Sequence, residues 1–141
     1  MVVETVTYQL DEQVGYLLRL ASQRHSVIFQ SHISHDLTPT QFTTLVRVAE
    51  EKAVSQNQLG RLAAMDIATI KGVVDRLKVK GLLAATPDPS DKRRSIITLT
   101  EAGAALIAQL HDEGLKISQE TLAPLKPAEQ KTLLSLLKKI G

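Results

Sequence analysis

The chain has 141 residues, 43% of them hydrophobic but only 3% aromatic, and a formal net charge of +2 with a pI near 9.0. That length supports one domain with a proper core, while so few rings argue against a reader of single strands, which stacks bases on aromatics. The lack of cysteine removes disulfides, thiol redox sensing and zinc–thiolate sites together.

The opening MVVETVTYQLDEQ has neither the basic n-region nor the apolar h-region of a signal peptide. No apolar stretch approaches the ~20 residues of a membrane span. A soluble, cytoplasmic protein with no membrane partner is expected. From Leu10 to about His32 the apolar positions Leu10, Val14, Leu17, Leu18, Ala21 and Ile28 follow helical spacing, predicting one long first helix. A second starts at Thr38 as N-cap with Pro39 at its first position, and is expected to bury Phe42, Leu45, Val46 and Ala49. Ser55 or Gln56 opens a third, with Leu59, Leu62 and Ala63 inward. Asp66 caps a fourth, whose Ile70, Val73, Val74 and Leu77 face the core and whose stop is Gly81. Only Ala64-Met65-Asp66 separates these two, so they form a tight helix-turn-helix. Leu82–Thr86 and Ser95–Leu99 read as a hairpin. Thr100 then caps a helix through Leu106, Ile107, Leu110 and Ile117. Pro127 starts the last one, with Leu133, Leu136, Leu137 and Ile140 on one face. The fold class is mostly α with a small β component (α+β): a winged helix-turn-helix over about 38–100, flanked by long amphipathic helices over about 9–35 and 101–141, in a single domain of residues 1–141.

Charge is concentrated in this middle part. Residues 61–94 hold eight Lys or Arg against four Asp, net +4 in a chain of +2, so the remainder is slightly acidic. Such a run alone is compatible with a solvated surface; its coincidence with both the fourth helix and the hairpin points to a duplex. On a 100° step, Ala68, Gly72, Asp75, Arg76 and Val79 face outward, with Thr69 and Lys71 on the flanks, while Lys78 and Lys80 add charge at the sides. Gly72 serves either close approach to another surface or packing against a neighbouring helix. The hairpin tip PDPSDKRR gathers Lys92, Arg93 and Arg94. Its place beside a recognition helix suits the minor groove, whose negative potential favours Arg. Asp91 is expected to hold the Arg93 guanidinium in a fork, and Pro87 and Pro89 to stiffen the approach.

Three segments resemble the MarR family of bacterial transcriptional regulators. "DPSDKRRSIITLTEAG" is similar to its wing signature, "LTPTQFTTL" to its L-T-x-x-Q-[FWY]-x-x-L helix, and "NQLGRLAAMDIATIKGVVDRLKVKGLL" to its helix-turn-helix. The resemblance spans nearly the whole chain in order. It implies a homodimer whose first and last two helices interlock, binding double-stranded DNA at a pseudopalindromic operator, most simply as a repressor. Carried over by position, it puts Ala68, Thr69, Lys71 and Gly72 in the major groove, and Asp91, Lys92, Arg93 and Arg94 at the minor groove. Ser55, Gln56 and Asn57 are assigned to phosphates, as is the outward-facing Arg76. The chain departs from the family pattern at Ala64, where Gly is common, which predicts a slightly different turn. It departs again at Lys126, which leaves the last helix weakly capped, at Gly72 in place of Arg, and at Arg94 in place of a small residue.

Family members often release DNA when a small anionic aromatic ligand enters. His25 and His32 fall on the apolar stripe of the first helix and Arg24 borders it, which makes these three the candidate effector contacts. Histidines bonded across a dimer interface explain them equally. The stretch "DEQVGYLLRLASQRHSVIFQSH" is similar to a subgroup tied to aromatic-acid or aryl-CoA catabolism. His32, His35 and Asp36 fall short of a metal site, and no cofactor is expected. Without a Gly-rich phosphate loop or a nucleophile with a base, no enzyme is expected either. The rival function is a winged-helix module that docks on an acidic protein without binding DNA.

Overall fold

The computed structural model describes residues 7–141; residues 1–6, where the stretch read as lacking a signal peptide begins, lie outside it. Among the described residues six α-helices and three strands follow in the order α1 (Val14–His32), α2 (Pro39–Glu51), β1 (Ala53–Ser55), α3 (Gln56–Leu62), α4 (Ile67–Val79), β2 (Leu83–Asp88), β3 (Asp91–Leu99), α5 (Glu101–Leu122) and α6 (Pro127–Ile140). This is a winged helix-turn-helix flanked by long helices. The described residues divide into two compact units, 33–115 and 7–32 with 116–141. No helix among the described residues is long and apolar enough to cross a membrane.

In the unit 33–115, α2 begins with a reciprocal cap. The Thr38 hydroxyl accepts from the Gln41 N–H at 3.2 Å, and the Gln41 side-chain oxygen accepts from the Thr38 N–H at 3.2 Å. Its buried face is Gln41, Thr44, Leu45 and Val48; Phe42, Val46 and Ala49, expected inside, are half-buried. The inward arc is therefore turned toward Thr44, whose hydroxyl is satisfied by the Thr40 carbonyl at 2.8 Å. α2 ends at Lys52 in the left-handed region (φ 68°), which reverses the chain into β1, a strand the sequence pattern does not announce. The sheet order is β1-β3-β2, antiparallel throughout. At its centre Ile97, fully buried, lies between Val54 and Ala85. Leu45, Val48, Leu59, Ile70, Val74, Leu77 and Leu110 complete this core. Each aliphatic side chain so buried contributes about 1.5–3 kcal/mol against its exposed state.

Two junctions fix how α4 leaves and α5 enters. Gly81 (φ 76°) ends the α4 segment. The Thr100 hydroxyl donates to the Gly81 carbonyl at 2.6 Å and accepts from the Gly103 N–H at 3.1 Å. A Cβ on Gly103 would lie 2.2 Å from the Leu82 carbonyl oxygen, so only glycine lets α5 start this close. That contact accounts for the glycine in the "LTEAG" that closes the wing segment.

In the other unit, the expected single helix from Leu10 is a short 3-10 turn, Leu10–Glu12, followed by α1 from Val14. Extended Gln13 divides them. Ile28, Phe29 and Ile117 are buried, whereas Val14, Leu17, Leu18, Leu136, Leu137 and Ile140 are exposed in the single chain. Lys126 supplies no side-chain cap to α6; the Glu129 carboxylate accepts from the Lys126 N–H at 2.9 Å.

Ala64 adopts φ 56°. It therefore takes the left-handed conformation that glycine favours instead of altering the turn, against a steric cost of roughly 1–2 kcal/mol for a residue with a Cβ. Ala64→Gly is expected to stabilise the fold by about 0.5–1 kcal/mol after the extra chain entropy of glycine is subtracted, read as a higher midpoint in denaturant melts.

Candidate nucleic-acid interface

The helix-turn-helix is assembled by two side-chain caps and one backbone bond. The Ser55 hydroxyl accepts from the Gln58 N–H at 3.2 Å to start α3, the Met65 N–H donates to the Gly60 carbonyl at 2.8 Å through the turn, and Asp66 Oδ1 accepts from the Thr69 N–H at 2.7 Å to start α4. Ile70, Val73, Val74 and Leu77 are buried as their spacing predicts. Rotation is thereby fixed, and Ala68, Thr69, Lys71, Asp75 and Arg76 are exposed, with Gly72 half-buried. A Cβ on Gly72 would meet only Arg76 Nη1, at 3.5 Å. Among the described residues no helix packs there, so their packing does not require this glycine. Lys71 Nζ is paired with Asp75 Oδ2 at 3.0 Å, an exposed pair worth roughly 0.3–0.5 kcal/mol. Lys80, counted above among the surface cations, is used internally. Its ammonium donates to the carbonyls of His35 and Asp36 at 3.1 Å each and to Gln41 Oε1 at 3.3 Å, holding two successive left-handed residues.

The wing is more ordered than a loop. Its strands run to a two-residue turn, Pro89-Ser90, where Asp88 Oδ1 accepts from the Ser90 N–H (2.9 Å) and hydroxyl (2.8 Å). Pro87 pairs with Ser95 and Asp88 with Asp91, so Lys92, Arg93 and Arg94 are the extra residues of a bulge in β3. The ladder leaves them out and presents them to solvent. Pro87 thus lies in a strand and Pro89 in the turn, where the sequence reading put both in the loop as stiffeners of the approach. The expected fork between Asp91 and Arg93 is also replaced. Asp91 Oδ1 alone accepts from Arg93 N–H (3.0 Å) and Nε (3.3 Å), while Oδ2 faces Arg94 Nε at 3.8 Å. One carboxylate therefore steadies two guanidinium groups, and the Arg93 side chain remains 92% exposed.

Between the wing and the start of α3 lies a polar cleft of about 220 Å³ lined by Ser55, Gln56, Asn57, Arg61, Arg93, Arg94 and Ser95. It unites the predicted residues of α3 and of the wing. Arg61 is the member that sequence reading counted only as charge. Its Nε and Nη2 donate to Gln58 Oε1 at 3.0 and 2.6 Å, which aims the guanidinium along α3. Asn57 and Arg61 also border an apolar hollow with Met65, Asp66, Ile67, Ala68 and Ile70. Basic cleft and apolar hollow are thus adjacent on one surface.

Comparison with known proteins places this geometry. Residues 37–95 match the MarR family. The chain is 40% identical to the HTH-type transcriptional repressor NicR of Pseudomonas putida, over 98% of this chain and 88% of that one. A crystal structure from Pseudomonas aeruginosa shares 47% identity with a TM-score of 0.91, covering 94% of this chain and all of the other. BpsR of Bordetella bronchiseptica, solved in work on regulation of its DNA binding by 6-hydroxynicotinic acid, shares 40% identity with a TM-score of 0.90, over 96% and 97%. The chain belongs to the MarR family.

Within this MarR-family protein the three effector candidates lie together at the end of α5. Arg24 Nη1 and Nη2 donate to the carbonyls of Thr121 (2.7 Å) and Glu120 (2.9 Å), His25 Nδ1 bonds the Thr121 hydroxyl (2.8 Å), and His32 Nε2 pairs with the Glu120 carboxylate. Arg24 therefore satisfies last-turn carbonyls that a helix leaves open. Among the described residues no cluster of His, Cys, Asp or Glu is placed to hold a metal ion.

Two carboxyls are held below the usual aspartate range. For Asp66 the cause is first the Thr69 backbone N–H and then the Thr69 hydroxyl. For Asp88 it is first the Ser90 backbone N–H and then its hydroxyl, with Arg94 a smaller influence. A depressed folded-state value contributes stability that is present above the unfolded value and lost as pH falls through the folded one. Asp66→Asn keeps an acceptor but removes the charge. The gap in melting temperature between parent and variant is expected to be steady above about pH 5 and to close as pH falls below it, measured by thermal melts from neutral to acid pH.

Proposed function

We propose that this MarR-family protein is a sequence-specific regulator of transcription that binds double-stranded DNA as a homodimer and represses from a pseudopalindromic operator. The observation that carries the reading is the single surface on which the exposed face of α4, the basic cleft and the bulged wing cations lie side by side. In this reading Ala68, Thr69, Lys71 and Gly72 enter the major groove. Ser55, Gln56, Asn57 and Arg76 take phosphates, joined by Arg61. Asp91 orients Arg93 and Arg94, and with Lys92 they reach the minor groove, where a narrow cleft concentrates negative potential. Exposed aliphatic side chains on α1 and α6 supply the apolar area for a second copy. The repressor name of NicR supports the sign of regulation.

Duplex binding should weaken log-linearly as salt rises. Arg93→Ala is expected to cost about 1–3 kcal/mol of operator affinity with the dimer intact, measured by fluorescence anisotropy alongside sedimentation. A variant that binds like the parent would remove the wing from the mechanism, and no duplex binding at low salt would hand the surface to an acidic protein partner.

The effector is a small anionic aromatic compound, a pyridine or benzene carboxylic acid or its acyl-CoA thioester. DNA binding by BpsR is regulated by such an acid. Arg24, His25 and His32 are its anion contacts in this reading, and an entering carboxylate would exchange with the Glu120 and Thr121 groups they now hold. With 6-hydroxynicotinic acid as the first probe, saturation at about 100 times Kd would stabilise the native state by about 2.7 kcal/mol. Arg24→Ala should abolish that ligand-induced rise in melting temperature; a rise equal to the parent's would place the ligand elsewhere.

A further inference from the structure

Base preference is set by what α4 exposes between its cap and its first two turns. Ile67 is 70% exposed at the first helical position. Beside it Ala68 and Thr69 are exposed too, and Gly72 adds no side chain. This stretch contains no Arg, Asn or Gln, the residues that pair bidentately with purine edges. Its one strong donor, Lys71, is drawn along the helix toward Asp75. What remains is methyl and methylene surface, continuous with the apolar hollow of Met65 and Ile70.

The immediate surroundings decide what can cover it. The Asp66 carboxylate borders the same hollow, its Oδ1 already committed to the Thr69 N–H. An anionic phosphate is disfavoured beside it. Phosphates have a better seat across Asn57 and Arg61, in the cleft that Arg93 and Arg94 close. With phosphates drawn to that cleft, the uncharged surface at Ile67 is left for an apolar group. The apolar group that a major groove offers is the C5 methyl of thymine.

We propose that Ile67, with Ala68 beside it, is a specificity-determining contact that reads thymine C5 methyl groups in each half-site. This rests on the DNA-binding reading above and names what that surface recognises.

The test uses the full chain. A tight duplex is selected from a random pool and remade with deoxyuridine in place of every half-site thymine, which deletes the methyl and leaves every hydrogen-bonding group. Binding should fall about three- to fivefold per contacted methyl, the value of one buried methyl group. Deoxyuridine outside the half-sites should change nothing. Ile67→Ser, at an exposed position where folding is not at stake, should lose most of the preference for thymine while still dimerising and binding in a salt-dependent way. The proposal is overturned if the parent binds both duplexes equally, if Ile67→Ser keeps the parent's preference, or if it breaks the dimer, which would make Ile67 a self-association contact. Absence of binding to any duplex would overturn the DNA-binding reading itself, a result distinct from equal binding to the two.

Discussion

The burial of four aliphatic side chains on α4 constrains everything else at the interface. Ile70, Val73, Val74 and Leu77 are packed to between 0% and 3% exposure, each worth about 1.5–3 kcal/mol. A slip of one residue would turn the helix by 100° and put Lys71, Asp75 and Lys78 into three of the four places, which a core without charged partners does not accept. The outward set is therefore not free to vary. Whatever α4 offers a partner is the complement of what the core demands, and the Asp66 cap fixes where that offer begins along the axis.

The wing solves a different problem, that of holding cations near one another before a partner neutralises them. Three consecutive positive charges repel, and long side chains lose rotamer freedom when fixed. The bulge moves all three off the ladder, and Asp91 offsets part of the repulsion from within, through its contacts to Arg93 and Arg94. Because these pairs are exposed, they hold the side chains lightly. A phosphate can take over a guanidinium at small cost, while the Arg93 N–H bond to Asp91 keeps the backbone in place. Lys80 shows the opposite use of a cation, since its three acceptors leave it structural.

Much of this was legible in the sequence, for identifiable reasons. Apolar spacing located α4 and its buried face, and Thr38, Ser55, Asp66 and Thr100 marked helix starts because a short oxygen side chain beside an apolar run has one main use. The features that escaped reading rest on backbone conformations adopted by residues that do not advertise them. Lys52 at φ 68° hides β1, and His35, Asp36 and Ala64 take left-handed values without being glycine. The bulge escaped because register is a property of two strands, and alternation along one cannot reveal three extra residues. Arg61 escaped because its place in the cleft depends on a neighbour, the wing, more than thirty positions away in the chain.

Local rules are broken at three exposed or half-exposed positions around the helix-turn-helix, and the breaches differ in kind. Ala64 carries strain in a turn with no evident return, since a glycine would hold the same path at lower cost. Gly72 gives up helix propensity where a Cβ would fit, and Ile67 leaves a branched side chain in water. Unlike Ala64, these last two lie within the first two turns of α4. One removes bulk and the other leaves apolar area uncovered, and neither stabilises the free chain. That fits a helix serving as half of an interface better than one built only for solvation.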